Sequence, residues 1–128
     1  MKHSYKLSDA IHILTYVDIY KNDDLSSARI AASIEANASV VRNLMSKLKK
    51  AGLLNNQPGV ARASLAKPAS EISVLDVYRA ITSTASLLHV DPKTNPNCVV
   101  GANIQNRLEE VYQRVQNAAE LELSLIHI

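Results

Sequence analysis

The sequence contains no phenylalanine and no tryptophan, and five tyrosines are its only aromatic residues. A buried core must therefore consist of leucine, isoleucine, valine and alanine, which favours helices packed closely through small side chains. Proteins that bind single-stranded nucleic acid stack its bases on aromatic side chains. The scarcity of aromatic residues therefore argues against that class of function.

Cysteine is almost absent as well. A single residue, Cys98, excludes an intrachain disulfide and every metal site that takes several thiolates from one chain. No Ser-His-Asp set, carboxylate pair, phosphate loop or metal-ligand spacing occurs, so we expect no enzyme activity, no metal and no cofactor. No apolar run reaches membrane-spanning length, and no signal-peptide core follows Met1 to Lys6. We therefore expect a cytoplasmic protein without a membrane partner.

The charge is unevenly distributed along the chain. The 128 residues, 47% hydrophobic and 20% charged, are enough for one globular domain with its own core. Residues 1–70 contain ten Lys and Arg against five Asp and Glu, a balance of +5, whereas residues 71–128 contain four against seven, a balance of −3. A polyanionic partner would therefore contact the N-terminal half.

Residues 26–54 have the pattern of two short helices joined by a tight turn. Ser26 is a good N-cap for a first helix over roughly Ser27 to Ile34. Asn37 offers a second cap, and the chain at Ala51-Gly52 provides a glycine suited to the end of a second helix. The buried face of that second helix is predicted from the spacing of Val41, Leu44, Met45 and Leu48.

The opposite face of the second helix is polar and cationic. It is expected to carry Ser39, Val40, Arg42, Asn43, Ser46, Lys47, Lys49 and Lys50. Short polar side chains, Arg and Asn near a helix start can reach base edges in the major groove of DNA, while surrounding lysines contact phosphates. A basic helix face can equally be a solvated surface, but two capped helices before a hairpin-like segment favour DNA.

The flanking segments predict a support helix, a hairpin and a further helix. The support helix is expected from Tyr5 to about Tyr20, and a β-hairpin wing from Leu53 to Ala66 with its turn at Pro58-Gly59. In the wing, Gln57 and Arg62 could approach the minor groove or the DNA backbone, or the hairpin could contact nothing. After Pro68, Ser70 or Ser73 can cap a helix that carries Val74, Leu75, Val77, Tyr78 and Ile81.

The C-terminal part is predicted to be a loop followed by a long helix. Two prolines and two asparagines between His89 and Gly101 argue against regular structure, and a helix should follow from near Ala102 to about Leu123. Its apolar stripe is too long for so small a domain to bury alone, so we expect pairing with a second copy; packing against its own domain is the alternative. The stripe consists of Ile104, Leu108, Val111, Val115 and Ala118.

In this order and spacing, several segments resemble the Rrf-type winged-helix transcriptional regulators of bacteria over nearly the whole chain. The segments that carry the resemblance are Ile30-Ala31, Arg42 with Leu48 and Ala51-Gly52-Leu53, Leu65-Ala66-Lys67-Pro68, Ile72 to Ala80, Asn95 to Gly101, and Ile104-Gln105. The implied fold is mainly α with a small β-hairpin wing: a winged helix-turn-helix domain over residues 1–82 (wing about 53–67), a loop over 83–101 that contains Cys98, and a dimerisation helix with a tail over 102–128.

The resemblance also implies a homodimer that binds a near-palindromic operator on double-stranded DNA and usually represses transcription. By position, the groove-contacting residues would be Ser39, Val40, Arg42 and Asn43, with Lys47 beside them and Gln57, Pro58, Gly59 and Arg62 in the wing. A dimeric winged-helix module that binds a regulatory protein partner instead of DNA is the alternative. Cluster-binding members of the family place three cysteines in the loop that here holds only Cys98, so that cluster cannot be built. Cys98 is either a redox or electrophile sensor or a small buried hydrophobic residue.

Overall fold

The computed structural model describes residues 4–21, 25–56, 63–82 and 86–128. The chain is mainly helical, with one two-stranded antiparallel sheet in the described residues, which confirms the predicted fold class. In chain order the elements are α1 (Lys6–Ile19), α2 (Ser27–Ile34), α3 (Ala38–Lys50), β1 (Leu54–Asn56), β2 (Ala63–Leu65), a 3-10 turn (Ala69–Glu71), α4 (Val74–Ile81) and α5 (Val99–Ser124).

The core lies where α1, α3 and α4 pack together, with α2 against α1 and α3. As the composition requires, its fully buried large side chains are aliphatic: Ile13, Leu14, Val17, Ile30, Val41, Leu44, Leu48, Leu53, Ile72 and Val77. Burial of one such side chain stabilises the fold by about 1.5–3 kcal/mol. The spacing of Leu7, Ala10, Ile11, Leu14 and Val17 predicts the apolar stripe of α1 but leaves out Ile13, which is completely buried.

The tight turn between α2 and α3 depends on one residue in the left-handed backbone conformation. Glu35, the C-cap of α2, has φ 61° and ψ 40°, and the N–H of Ala36 donates to the carbonyl of Ala31 at 3.0 Å. Glycine usually occupies such a position, because a side chain there costs about 1–2 kcal/mol. With glutamate in its place, the turn has no glycine signal in the sequence.

The end of α3 leads directly into the hairpin. Gly52 adopts φ 77°. Its N–H donates to the carbonyl of Lys49 at 3.0 Å, and the N–H of Leu53 donates to the carbonyl of Leu48 at 3.0 Å. These are the two hydrogen bonds of a Schellman motif. Strands β1 and β2 then pair with Leu54 opposite Leu65. The predicted strands are therefore present, whereas the predicted turn lies outside the described residues.

Ser73, rather than Ser70, caps α4. Its side chain accepts from the N–H of Asp76 at 3.1 Å, and the Asp76 carboxylate accepts from the N–H of Ser73 at 3.0 Å, which completes a capping box. Helix α4 packs against α1, α3 and α5, so it connects the helix pair α2–α3 to the C-terminal helix.

The predicted start of the last helix was wrong by three residues. Helix α5 begins at Val99, inside the segment expected to be irregular, and extends to Ser124. Cys98 is its N-cap, and the first helical bond runs from the N–H of Ala102 to the Cys98 carbonyl at 2.8 Å. Gly101 lies in the first turn of α5, where a Cβ would clash with the Asn95 carbonyl oxygen, so glycine fits there without a shift of the backbone. The residues that the structure describes include no helix with the length and apolarity that a membrane crossing requires.

Candidate nucleic-acid interface

Helix α3 has one buried and one exposed face, as its sequence pattern predicts. Its buried residues are Val41, Leu44, Met45 and Leu48. Ser39, Val40, Arg42 and Asn43 are exposed, and Lys47 is half-buried. The predicted groove-contacting residues are thus brought together on one surface, which we call the α3 polar face: Ser39, Val40, Arg42, Asn43, Ser46, Lys47, Lys49 and Lys50. Their contact with DNA stays a prediction.

At 3.6 residues per turn, the α3 polar face has a centre and two flanks. Ser39, Asn43, Ser46 and Lys50 follow one another at steps of four, three and four residues and form the central line. Arg42 and Lys49 lie on one flank, and Val40 and Lys47 on the other. Both flanking lysines are half-buried, so their stems can lie along the helix while their ammonium groups extend outward.

Asn37 fixes the N-terminal end of this face. Its Oδ1 accepts from the N–H of Ser39 at 2.8 Å and from the Ser39 hydroxyl at 2.9 Å. Sequence reasoning identified Asn37 as a cap but missed its bond to the Ser39 hydroxyl, which leaves the Ser39 oxygen able to accept from a ligand. By contrast, Arg42 and Asn43 form no side-chain hydrogen bond or ion pair within the described part of the chain, so their full donor sets are available.

A side-chain hydrogen bond links α2 to the support helix α1. His12 Nε2 on α1 and Ser33 Oγ on α2 lie 2.9 Å apart and are hydrogen-bonded. Ser26 caps α2 by accepting from the N–H of Arg29 at 3.4 Å. These bonds hold α2 against α1 and cap its start, and both helices pack against α3.

The described part of the wing is its base. Gln57, Pro58, Gly59 and Arg62 lie outside the described residues. At the base, the paired Asn55 and Ser64 are both exposed, so the outward side of the hairpin is polar where it leaves the core. Ala63 and Leu54 are buried and anchor the hairpin to the core.

Helix α5 is only partly covered by its own domain. Of its 26 residues, Gln116 alone is buried. Its Oε1 accepts from the N–H of Leu87 at 2.8 Å, and Glu120 pairs with Arg79 of α4 at 3.3 Å. The predicted stripe remains largely open: Val111 and Val115 are 50% and 42% exposed, Ala118 is exposed, and Ile104 and Leu108 are half-buried.

Cys98 is exposed at the start of α5, so the alternative of a buried small hydrophobic residue is wrong. Hydrogen bonds from the backbone N–H groups of Gly101 and then Val100 lower the pKa of the thiol, because they stabilise the thiolate. The lower pKa increases the fraction of Cys98 that is present as the nucleophilic thiolate at a given pH. It does not by itself show a sensing role.

The capped α2–α3 pair, the adjoining hairpin and the exposed polar face of α3 define a winged helix-turn-helix protein, and the comparisons agree. YwnA of Bacillus subtilis strain 168, named as an HTH-type transcriptional regulator, is 44% identical over 119 residues, covering 93% of this chain and 88% of YwnA. A crystal structure described as that of a DNA-binding protein is 41% identical, with a TM-score of 0.79 and coverage of 95% and 94% of the two chains. The protein is thus a DNA-binding transcriptional regulator.

The family can also be stated. The model of the Rrf2 family, described as iron-dependent transcriptional regulators, matches residues 3–128, and the chain belongs to that family. The structure of CymR, the global cysteine regulator of B. subtilis, shares the fold with a TM-score of 0.68 at 19% identity and covers 99% of this chain and 92% of CymR. The resemblance seen in the sequence is therefore confirmed.

The family description raises the question of iron. Cys98 is the single cysteine, and no three His, Cys, Asp or Glu side chains come together for a metal ion among the described residues. Iron–sulfur clusters are held by three or four such ligands, mostly thiolates. The donor set of the residues that the structure describes therefore does not fit an iron–sulfur cluster.

Proposed function

We propose that this regulator is a homodimeric repressor that places α3 of each copy in the major groove of a near-palindromic operator. The observation that carries the proposal is the α3 polar face: it is exposed, it is fixed at its N-terminus by Asn37, and its Arg42 and Asn43 side chains are uncommitted in the described part of the chain. A recognition helix needs these three properties. A protein that acts on the chromosome in this way works in the cytoplasm.

The open stripe on α5 supports the dimer. Val111 and Val115 leave about half of their surface in water, while α5 contacts its own domain through another side at Gln116 and Glu120. Burying the stripe against the same stripe of a second copy would remove this apolar surface from water and give a two-fold axis. Two α3 helices in such a dimer should lie about 34 Å apart, one turn of duplex.

Roles follow from side-chain chemistry. Arg42 can donate two hydrogen bonds to O6 and N7 of guanine, and Asn43 can pair with N6 and N7 of adenine. Lys47, on the flank, suits a phosphate, as do Lys49 and Lys50 farther along the helix. The wing residues Gln57, Pro58, Gly59 and Arg62 are assigned to the sugar-phosphate backbone or the minor groove on the basis of the sequence alone.

The test begins with selection of bound fragments from the source genome by the purified protein. On the selected operator, Arg42→Ala and Asn43→Ala should each cost roughly 1–3 kcal/mol, about 5- to 150-fold, and relax preference at one base pair per half-site. The matched controls, Lys49→Ala and Lys50→Ala, should weaken binding to all DNA about equally. If Arg42→Ala and Asn43→Ala bind the operator like the wild type, α3 is not the recognition helix.

Regulation through a protein partner remains the second candidate, because the same exposed face of α3 could bind an acidic protein surface. Salt dependence separates the two functions. A protein that neutralises several phosphates loses orders of magnitude in affinity between dilute and physiological salt, whereas a protein–protein contact loses far less. A steep decline of the affinity with rising salt concentration supports direct DNA recognition. A shallow decline supports regulation through a protein partner.

We assign the signal-sensing role to Cys98. It is exposed, its pKa is lowered, and it occupies the N-cap position of the helix proposed to form the dimer, so its oxidation would place a different group beside the first turn of α5. Operator affinity should then fall on treatment with peroxide and recover on reduction. A Cys98→Ser protein that responds to peroxide like the wild type would eliminate this role.

A further inference from the structure

Val40 is the anomalous member of the α3 polar face. It is 42% exposed and is the one side chain of that face with neither a charge nor a hydrogen-bonding group. A single exposed valine is ordinary on a protein surface. Here, however, it lies on one flank of an otherwise polar surface, in the first turn of α3, beside Ser39 and one turn before Asn43.

Local folding does not explain a valine at this position. Branching at Cβ makes valine a poorer helix former than alanine, because the side chain loses rotamer freedom against the preceding turn. Almost half of its surface remains in water, so burial provides only part of its usual stabilisation. The compensating gain is therefore expected from something that covers Val40 from outside.

The same branching makes Val40 a rigid contact. In a helix, valine populates essentially one χ1 rotamer, so its two methyl groups are held in fixed directions. The backbone beneath them is also fixed, since the N–H groups of Val40 and Val41 donate to the Asn37 carbonyl at 3.1 and 3.3 Å. N-terminal residues of a recognition helix are the ones that reach base edges.

The chemistry then restricts what Val40 can recognise. In the major groove every base presents hydrogen-bond donors or acceptors, and thymine alone among the standard bases adds an apolar group, its C5 methyl. A valine can contact that methyl favourably but would leave any other base edge unpaired. We propose that Val40 is a specificity residue that recognises the methyl group of one thymine in each half-site; this rests on the proposed placement of α3 in the major groove.

Replacement of thymine by deoxyuridine tests the proposal, because it removes only that methyl. In the selected operator, each thymine of a half-site is replaced singly, and full-length protein is titrated against each duplex. At one position the wild type should lose about three- to five-fold in affinity, the effect of one methyl contact. Val40→Ala should bind the thymine and deoxyuridine duplexes equally at that position.

Asn43→Ala is the matched control, since it weakens binding from the same face without touching the methyl contact. Its affinities for the thymine and deoxyuridine duplexes should differ by the same factor as those of the wild type. Energetic coupling to the thymine methyl should therefore appear for Val40 alone. Circular dichroism and thermal unfolding verify that Val40→Ala is folded, as expected for an exposed helical position. The proposal is overturned if no deoxyuridine weakens the wild type, or if Val40→Ala keeps the full ratio. Absence of any selected operator would refute the proposed function instead, so the two failures are distinguishable.

Discussion

Helices α3 and α5 differ in how much of each the rest of the chain covers. Four of the 13 residues of α3 are buried, against one of the 26 residues of α5. The exposed side of α3 is polar and cationic, whereas α5 exposes valines at Val99, Val100, Val111 and Val115. The described part of the chain therefore covers the apolar side of α3, whereas it leaves apolar surface of α5 in water.

The two exposed surfaces call for different partners. The side chains on the outer side of α3 are polar and are well solvated without a partner. The uncommitted donors of Arg42 and Asn43 suit a charged, hydrogen-bonding ligand such as DNA. Apolar side chains exposed in a row along α5 suit a second apolar surface, because removing both from water is the favourable step. The contrast separates the surface proposed to contact DNA from the surface proposed to pair with a second copy.

Breaking the α5 stripe should have the largest effect. Val111→Glu places a charge on the apolar side, which a paired helix could not bury without a partner for the carboxylate. The variant should be monomeric by analytical ultracentrifugation. Its operator affinity should fall by about 10²-fold or more, because two linked half-sites exceed one by that order.

Asn106→Glu is the matched control for this change. Asn106 is exposed on α5 but lies off the stripe, so the same charge there should leave both the sedimentation and the operator affinity unchanged. A Val111→Glu protein that remains dimeric would place the interface elsewhere. The exposed valines of α5 would then need another explanation.

Two glycines, Gly52 after the end of α3 and Gly101 in the first turn of α5, allow the two helices to be compared by mutation. Alanine at Gly101 would bring its Cβ against the Asn95 carbonyl oxygen at the start of α5, whereas at Gly52 a Cβ meets open space but must adopt φ 77°. Gly101→Ala should therefore cost about 1–3 kcal/mol of unfolding free energy through forced backbone movement. Gly52→Ala should cost about 1 kcal/mol through the left-handed conformation alone.

Urea unfolding at fixed protein concentration measures both values. Gly52→Asn is the control, since asparagine tolerates the left-handed region better than alanine and should recover part of the loss. A Gly101→Ala protein as stable as the wild type would contradict the close approach at Asn95.

The sequence predicted best where local signals and burial agree. The bounds of α2 and α3 follow from Ser26, Asn37 and Gly52, each a local cap next to an apolar stripe. It failed at Gly101, where glycine resembles a helix breaker in the sequence but is required by a contact with Asn95 that only the folded chain shows. The left-handed conformation of Glu35 was missed as well, because glutamate does not favour that region and gives no local signal for it.

The candidate site was predictable to a similar degree. Periodicity placed Arg42 and Asn43 outward because the buried face of α3 is so regular. It could not show that Asn37 holds the Ser39 hydroxyl, nor that Cys98 caps α5 in an exposed position, since both depend on local geometry beyond residue spacing. Residue type gives the chemistry of a surface, and the fold decides which groups are already committed.

The smallest expected effect concerns α4, which joins the two regions. The N–H of Ser73, donating to the Asp76 carboxylate, is the main reason that the pKa of Asp76 is lowered, assisted by the Ser73 side chain and by Lys67 and Arg79. A carboxyl whose pKa is lower in the folded state stabilises the fold above its unfolded pKa, and this stability is lost as the pH falls through the folded pKa. Asp76→Asn should therefore destabilise the protein by about 1 kcal/mol at pH 7, the usual worth of a capping interaction.

The pH profile of unfolding identifies the charge as the cause. The difference between wild type and Asp76→Asn should persist down to about pH 4, the ordinary aspartate pKa, and shrink below it. Ser73→Ala should lose a similar amount at pH 7, because it removes the other half of the capping box. Glu110→Gln, an exposed carboxylate on α5 without a hydrogen bond in the described part of the chain, should be neutral at both pH values. A difference for Asp76→Asn that stayed constant to pH 2 would show that the shape of the side chain stabilises α4, rather than its charge.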